Sequence, residues 1–350
     1  GGAPAPEAQQ GEPVRARSWE FPSIGELLYT GIYGTVRIRI LGGETRMSPL
    51  RKKIAIGVAA AIGLVLLGIG GYGFRQVAAF DASLERVYPT PVPSVTRSTD
   101  PAVVARGKHL VESIGACATR DCHGTDLGGG KLLDLGPIGT VSGPNLTSAG
   151  VGAAYSDGEL MRLLQRGVKR DGRGVRMMPV QDFGWLPERD VVAMISYLRT
   201  VPAVERQVPP MQVKPLAKIL DRRNELVWDV ARRLETVPVA QVPVPSDSVE
   251  YGAFLARLCT GCHGERLSGG PIPGAPPSLP VPLNITPDAS GMKDWSYADF
   301  EHLLATVLRK NGQKLNPFMP VEALVRLDET ERKALWNYLR SVPARPFGQR

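Results

Sequence analysis

CTGCHG, Cys259 to Gly264, is the stretch on which the fold turns. It sets two thiols three positions apart with a histidine directly after the second, the C-x-x-C-H pattern of a c-type haem attachment site. A near copy, CATRDCHG, stands at Cys117 to Gly124, with a longer gap between its thiols. Cys117, Cys122, Cys259 and Cys262 are the only cysteines in the 350-residue chain, so none falls outside the two clusters. A haem of this kind needs two thiols at the separation of its vinyl groups and a histidine that binds iron from one face. Cys259, Cys262 and His263 meet all three demands. The competing readings are a redox disulfide, which expects a βαβ setting that this sequence lacks, and zinc, which needs further Cys or His ligands. At the stretched site Cys122 and His123 remain adjacent, and the two extra residues can bulge outward. A disulfide-closed loop, or one thioether beside a free thiol, is the alternative there.

The sequence outward from these clusters repeats itself, which sets the organisation. With Met178 placed over Met319, MPVQDFGWLPERDVVAMISYLR runs without a gap against MPVEALVRLDETERKALWNYLR. Val201 to Ala203 then matches Val342 to Ala344, Asn145-Leu146-Thr147 matches Asn284-Ile285-Thr286, and Asp171-Gly172 matches Asn311-Gly312. Each copy is headed by its histidine, His123 or His263, at nearly the same distance from its methionine. Ser156 with Glu159 and Ser296 with Asp299 predict capping boxes, each opening a helix with apolar residues at helical spacing. A last helix in each copy is stopped by Pro202 or Pro343. Neither copy shows an alternating strand pattern, so each is predicted to be a small all-α domain.

Met178 and Met319 are the expected distal iron ligands. Met177 is the rival in the first copy, but it aligns with Phe318, so its slot calls for apolar packing. Met161, Met194 and Met211 read as core fillers, and His109 and His302 as surface residues. His109 as an alternative ligand is the weaker reading.

Ile54 to Phe74 carries no charge and follows Arg51-Lys52-Lys53. About 20 apolar residues cross ~30 Å of hydrocarbon as a helix, so this run is predicted to span a membrane. A cleaved signal peptide ending near Val77-Ala78-Ala79 is the competing reading, but its apolar core is ordinarily ~7–15 residues. The basic cluster places residues 1–53 in the cytoplasm and the rest outside, the side on which bacteria attach haem. Residues 1–53 are read as an N-terminal cytoplasmic segment, expected to be disordered and given no function; within it, residues 1–46, upstream of the first methionine Met47, read either as a real tail or as an extension of the natural start. The net charge of +8 comes from scattered basic residues mixed with acids, which argues against nucleic acid as a partner. Residues 205–250, proline-rich at both ends, read as a linker with one amphipathic helix.

Each copy resembles a class I cytochrome c domain, with Cys-x-x-Cys-His near its start and Met-Pro before its final helix. NLT, NIT, WSYADF and PFMP make the pair similar to dihaem cytochromes related to the cytochrome subunits of membrane-bound alcohol, gluconate and aldehyde dehydrogenases. The resemblance covers about residues 97–347. It implies an all-α protein in which an N-terminal transmembrane helix, 54–74, precedes two tandem class I cytochrome c domains, 97–204 and 251–347. Two covalent haem c groups would be held by Cys117, Cys122, His123 and Met178, and by Cys259, Cys262, His263 and Met319. The expected function is electron transfer without bond-making chemistry, in a single-pass protein of the bacterial inner membrane with its haem domains in the periplasm. The donor would be a dehydrogenase or quinol-oxidising complex, the acceptor a cytochrome or terminal oxidase. The alternative is a dihaem redox enzyme such as a peroxidase or a thiosulfate dehydrogenase. This chain departs from those dehydrogenase subunits, which often carry three haem sites, in having two sites and in the longer first spacing.

Overall fold

The structure is a computed structural model and describes residues 26–31, 34–39, 48–130, 133–182, 184, 186–226, 228–234, 243–273, 275 and 279–350. Most of the expected disordered tail, and Pro238 near the end of the expected linker, lie outside these residues. The chain divides into two units, Gly1–Leu67 and Gly68–Arg350.

In the first unit, β1 (Glu26–Gly31) and β2 (Gly34–Arg39) pair antiparallel, from Glu26↔Arg39 to Gly31↔Gly34. The alternating VRIR run suits a strand, in a stretch to which the sequence assigned no element. α1 (Pro49–Leu84) begins in this unit and runs into the next. Among the described residues it is the one helix long and apolar enough to cross a membrane. Its large apolar side chains from Leu50 to Phe74 are exposed.

In the second unit the end of α1 is tied down. Phe80 is fully buried with Ile138, Ala217 and Trp228, and Asp81 accepts from Lys218 Nζ at 2.6 Å.

Two copies of one helical arrangement fill the rest. α2 (Pro101–Glu112) packs on α4 (Glu188–Leu198), and α7 (Val249–Leu255) packs on α11 (Glu329–Ser341). Gly107 and Gly252 lie at the two crossings. A Cβ on Gly107 would fall on the carbonyl of Ala193, and one on Gly252 on the carbonyl of Ala334. The middle helices, α3 (Asp157–Arg166) and α9 (Tyr297–Thr306), open with the predicted capping boxes. Each serine backbone N–H donates to its acid at 2.8 Å and each acid N–H to its serine at 3.2 Å. These bonds from Ser296, with Lys310 adding to them, hold the Asp299 carboxyl at about 2. α3 ends on Gly167 and α9 on Val307, both left-handed, and the Asp-Gly and Asn-Gly pairs turn the chain just after.

The all-α expectation is corrected beside the first copy. β3 (Leu133–Asp134), β4 (Gly139–Val141) and β5 (Gln212–Val213) form a small antiparallel sheet, registered Leu133↔Val141 and Gly139↔Val213. Strands of two or three residues are too short to leave an alternation in sequence. α5 (Pro215–Arg222) and α6 (Val230–Leu234) follow, two short helices where the sequence predicts one. α8 (Arg257–His263) and α10 (Val321–Leu324) complete the second copy.

One core runs through both copies. Leu110, Met194 and Ile195 of the first belong to the same cluster as Tyr251, Phe254 and Leu335 of the second. His109 is part of this junction rather than a surface residue. Its Nε2 lies 2.8 Å from Oε1 of Glu331, which is 1% exposed, and Asp328 stands 4.0 Å away. Ser113 Oγ also faces the ring, and Arg106 opposes its charge. The bond to Glu331 raises the His109 pKa above its ordinary value despite burial. A raised histidine pKa contributes stability that is complete below about pH 6.5, the unfolded value, and is lost as the pH rises through the folded value. Thermal unfolding should therefore move to lower temperature as the pH rises above about 6.5, and Glu331→Gln should flatten that dependence. A hydrogen bond to a charged group contributes roughly 1.5–3 kcal/mol, which bounds the effect. An equal pH slope in both proteins would exclude His109 as its source.

Candidate redox centres

In the second copy Cys259 and Cys262 sit three positions apart on α8, a spacing that puts both on one helix face. His263 closes the helix, and Gly264 turns the chain with φ +82°. The imidazole is 8% exposed, and its Nδ1 lies 2.7 Å from the carbonyl oxygen of Leu283. That contact assigns the ring proton to Nδ1 and leaves Nε2 with its lone pair, as in a metal-bound histidine oriented by a backbone carbonyl. Burial pushes the pKa of His263 below its ordinary value, so the ring is neutral at pH 7, as a metal ligand must be.

The first copy reproduces this geometry in a loop rather than a helix. His123 is also 8% exposed, and its Nδ1 lies 2.9 Å from Pro144 O. Burial lowers its pKa in the same way. The longer Cys-to-Cys stretch folds into turns that return to register, with His123 N–H donating to Cys117 O at 3.1 Å and Cys122 N–H to Thr119 O at 3.1 Å.

Behind each histidine stands one shared device. Asn145 Oδ1 accepts from Thr147 N–H at 2.9 Å and from its hydroxyl at 2.7 Å, and Asn284 does the same for Thr286 at 2.9 and 2.8 Å. Their amide nitrogens then donate to Val204 O and Arg345 O, just past the Val-Pro-Ala segments. Each asparagine directly follows the residue whose carbonyl holds the histidine. The Asn-x-Thr motif thus ties the last stretch of each copy to its histidine clamp.

No disulfide joins any of the four cysteines. Burial pushes the Cys117 thiol up to about 12, with Cys122 adding a smaller push, and burial raises Cys122 too. These are protonated thiols at neutral pH, unlike the low-pKa thiolates of redox disulfide motifs. Zinc also fits poorly. Among the described residues, the one group of three side chains close enough to share a metal ion is His109, Asp328 and Glu331, which contains no cysteine. A c-type haem fits the donor set better, because it needs two thiols beside one buried neutral imidazole with Nε2 available.

Met178 and Met319 occupy matching turns, with Val180 N–H donating to Met178 O at 2.8 Å and Val321 N–H to Met319 O at 2.7 Å. Met178 packs against the main core. Met177, at φ +58°, turns the opposite way into the Phe80 and Trp228 cluster. Its counterpart Phe318 is 37% exposed, so the apolar slot expected at that position exists in the first copy alone. The cluster that receives Met177 is built from α1, residues 135–141 and residues 211–228. His302 is exposed, as expected.

The cysteine pairs and buried neutral imidazoles suit a c-type haem, and comparison with known proteins bears on the second copy. The cytochrome c family matches residues 249–343, so the second copy is a cytochrome c domain, which implies covalently bound haem c. The chain is similar to the fructose dehydrogenase cytochrome subunit of Gluconobacter japonicus, 26% identical over 284 residues that cover 74% of this chain and 56% of that one. It is similar to the cytochrome c subunit of a quinone-dependent alcohol dehydrogenase from Gluconacetobacter polyoxogenes, 33% identical over 29% of this chain and 23% of that one. It is also similar to the gluconate 2-dehydrogenase cytochrome c subunit of Pantoea cypripedii, 35% identical over 26% of this chain and 22% of that one. The chain thus spans between about a quarter and just over half of the length of these relatives.

Proposed function

We propose that the chain is a membrane-tethered electron carrier with two covalent c-type haems, one in each copy, and that it serves as the cytochrome subunit of a dehydrogenase complex. The observation that carries this reading is the pair of buried imidazoles, each fixed at Nδ1 by a backbone carbonyl that the Asn-x-Thr motif holds in place. Cys117 and Cys122, and Cys259 and Cys262, would form the thioethers. His123 and His263 would bind iron through Nε2, with Met178 and Met319 opposite. The haem supplies one-electron chemistry between ferric and ferrous iron. The chain's own part is to exclude water, hold the histidines neutral and oriented, and present sulfur as the soft ligand that favours the ferrous state.

Relatives named as dehydrogenase cytochrome subunits support a dehydrogenase as donor. A cytochrome or terminal oxidase would be the acceptor. The exposed apolar length of α1 supports a membrane anchor, and Arg51 to Lys53 at its start support an orientation with both haem domains in the periplasm.

The intact mass of the mature protein tests the haem count. It should exceed the polypeptide by two haems. A gain of one haem, with Cys117 and Cys122 still able to take up a thiol reagent after unfolding, would overturn the assignment of the first centre.

A further inference from the structure

Arg120, in the lengthened stretch of the first Cys-Cys-His loop, reaches the second copy. Arg120 N–H donates to Glu322 Oε2 at 2.7 Å, and the Arg120 guanidinium donates to Pro317 O at 3.4 Å. Those two acceptors lie on either side of Met319. A third contact continues the line, since Arg326 donates to Glu322 O at 2.7 Å and pairs with Glu112 of α2 at 3.5 Å.

The two methionine turns are otherwise supported differently. In the first copy Met177 packs into the Phe80 and Trp228 cluster, and its N–H donates to Trp228 O at 3.1 Å. Asp229 bridges to Arg176 beside it. In the second copy Asn316, Pro317, Phe318 and Pro320 are all exposed, and the matching side of the turn has no such cluster among the described residues. The lengthened loop supplies from the other copy the support that this turn lacks in its own.

We infer that the insertion in CATRDCHG is a brace, and that Arg120 and Glu322 are positioning residues that hold Met319 in place as a ligand. The inference rests on the haem reading of the second copy, but the contact itself does not.

Three variants of the full chain test this. Deleting Arg120 and Asp121 restores regular C-x-x-C-H spacing, Glu322→Ala removes the acceptor, and Glu322→Gln keeps a neutral one. Hydrogen exchange at Met319, Val321 and Leu324, whose amides donate within the turn, should quicken about tenfold in the deletion and in Glu322→Ala. Glu322→Gln should recover most of the protection. In the oxidised holoprotein, the deletion and Glu322→Ala should both weaken the sulfur-to-iron band and lower the potential of the second haem, and Glu322→Ala should leave the first haem unchanged. A merely structural contact would leave that band and potential unmoved. Unchanged exchange in both Glu322→Ala and the deletion overturns the brace. Faster exchange with an unaltered second-haem band overturns its role in ligation. Wild-type protein that carries no haem would instead overturn the functional reading, and the exchange experiment would still decide the contact.

Discussion

Gly252→Ala should destabilise the folded protein by about 2–3 kcal/mol, the upper part of the range for overpacking a tight contact. The cause lies in the backbone. A Cβ at position 252 would fall on the carbonyl of Ala334 on α11 and stand 2.7 Å from the Cβ of Tyr338. A methyl group there meets a main-chain oxygen that cannot rotate aside, so α7 and α11 must separate along the whole crossing. Gly107→Ala should cost a similar amount, since Ala193 and Tyr197 stand in the same relation to α2. Gly57→Ala is the control, because a Cβ there meets nothing within 4 Å, and its effect on the unfolding of the second unit should be close to zero. Urea unfolding of the three variants measures this. A cost below about 0.5 kcal/mol for both Gly107→Ala and Gly252→Ala would mean that the helices part easily and that the crossing does not govern stability.

The second large effect is on ligation. Met178→Ala and Met319→Ala should each abolish one of two sulfur-to-iron charge-transfer bands in the far red. Each should lower the potential of its own haem, because the ferrous state loses a soft donor. Met177→Ala should abolish neither band. Its cost is to stability, on the order of 1–2 kcal/mol, below the range for a fully buried methionine because the side chain is partly exposed. Each ligand variant should also open a position to carbon monoxide in the reduced protein, while the reduced wild type binds it poorly. Ready binding by the wild type at one haem would replace the carrier reading with a catalytic one in that copy.

Much of this architecture is legible in sequence wherever the cause is local. A capping box is decided within four residues, and Ser156 with Glu159 and Ser296 with Asp299 form as their spacing requires. The repeat is legible because two copies must satisfy the same packing, which keeps Asn145 and Asn284, and Gly107 and Gly252, in step. What escapes is pairing across long separations. Nothing near Arg120 names Glu322, and nothing near His109 names Glu331, because each pair meets only after the copies dock. The asparagines could have been found as the polar, side-chain half of NLT and NIT, a motif whose exact recurrence asks for a hydrogen-bonding reason. The preference for Met178 over Met177 can be argued from alignment; the packing of Met177 against Phe80 and Trp228, one from the end of the apolar helix and the other from the expected linker, cannot be read there. The small sheet was out of reach because each of its strands is shorter than the period needed to recognise it.

The shared core has a consequence for how the chain is made. His109 and Glu331 are 222 residues apart, and a ribosome adds roughly 5–20 residues each second. The side of α2 that carries His109 therefore waits roughly 10–45 s for its counterpart at that pace. Through that interval His109 has no Glu331 carboxylate to meet, and the share of the common core supplied by Tyr251, Phe254 and Leu335 is missing. A chain truncated within residues 205–250 should therefore leave that part of the core unfilled and aggregate more readily than the full chain.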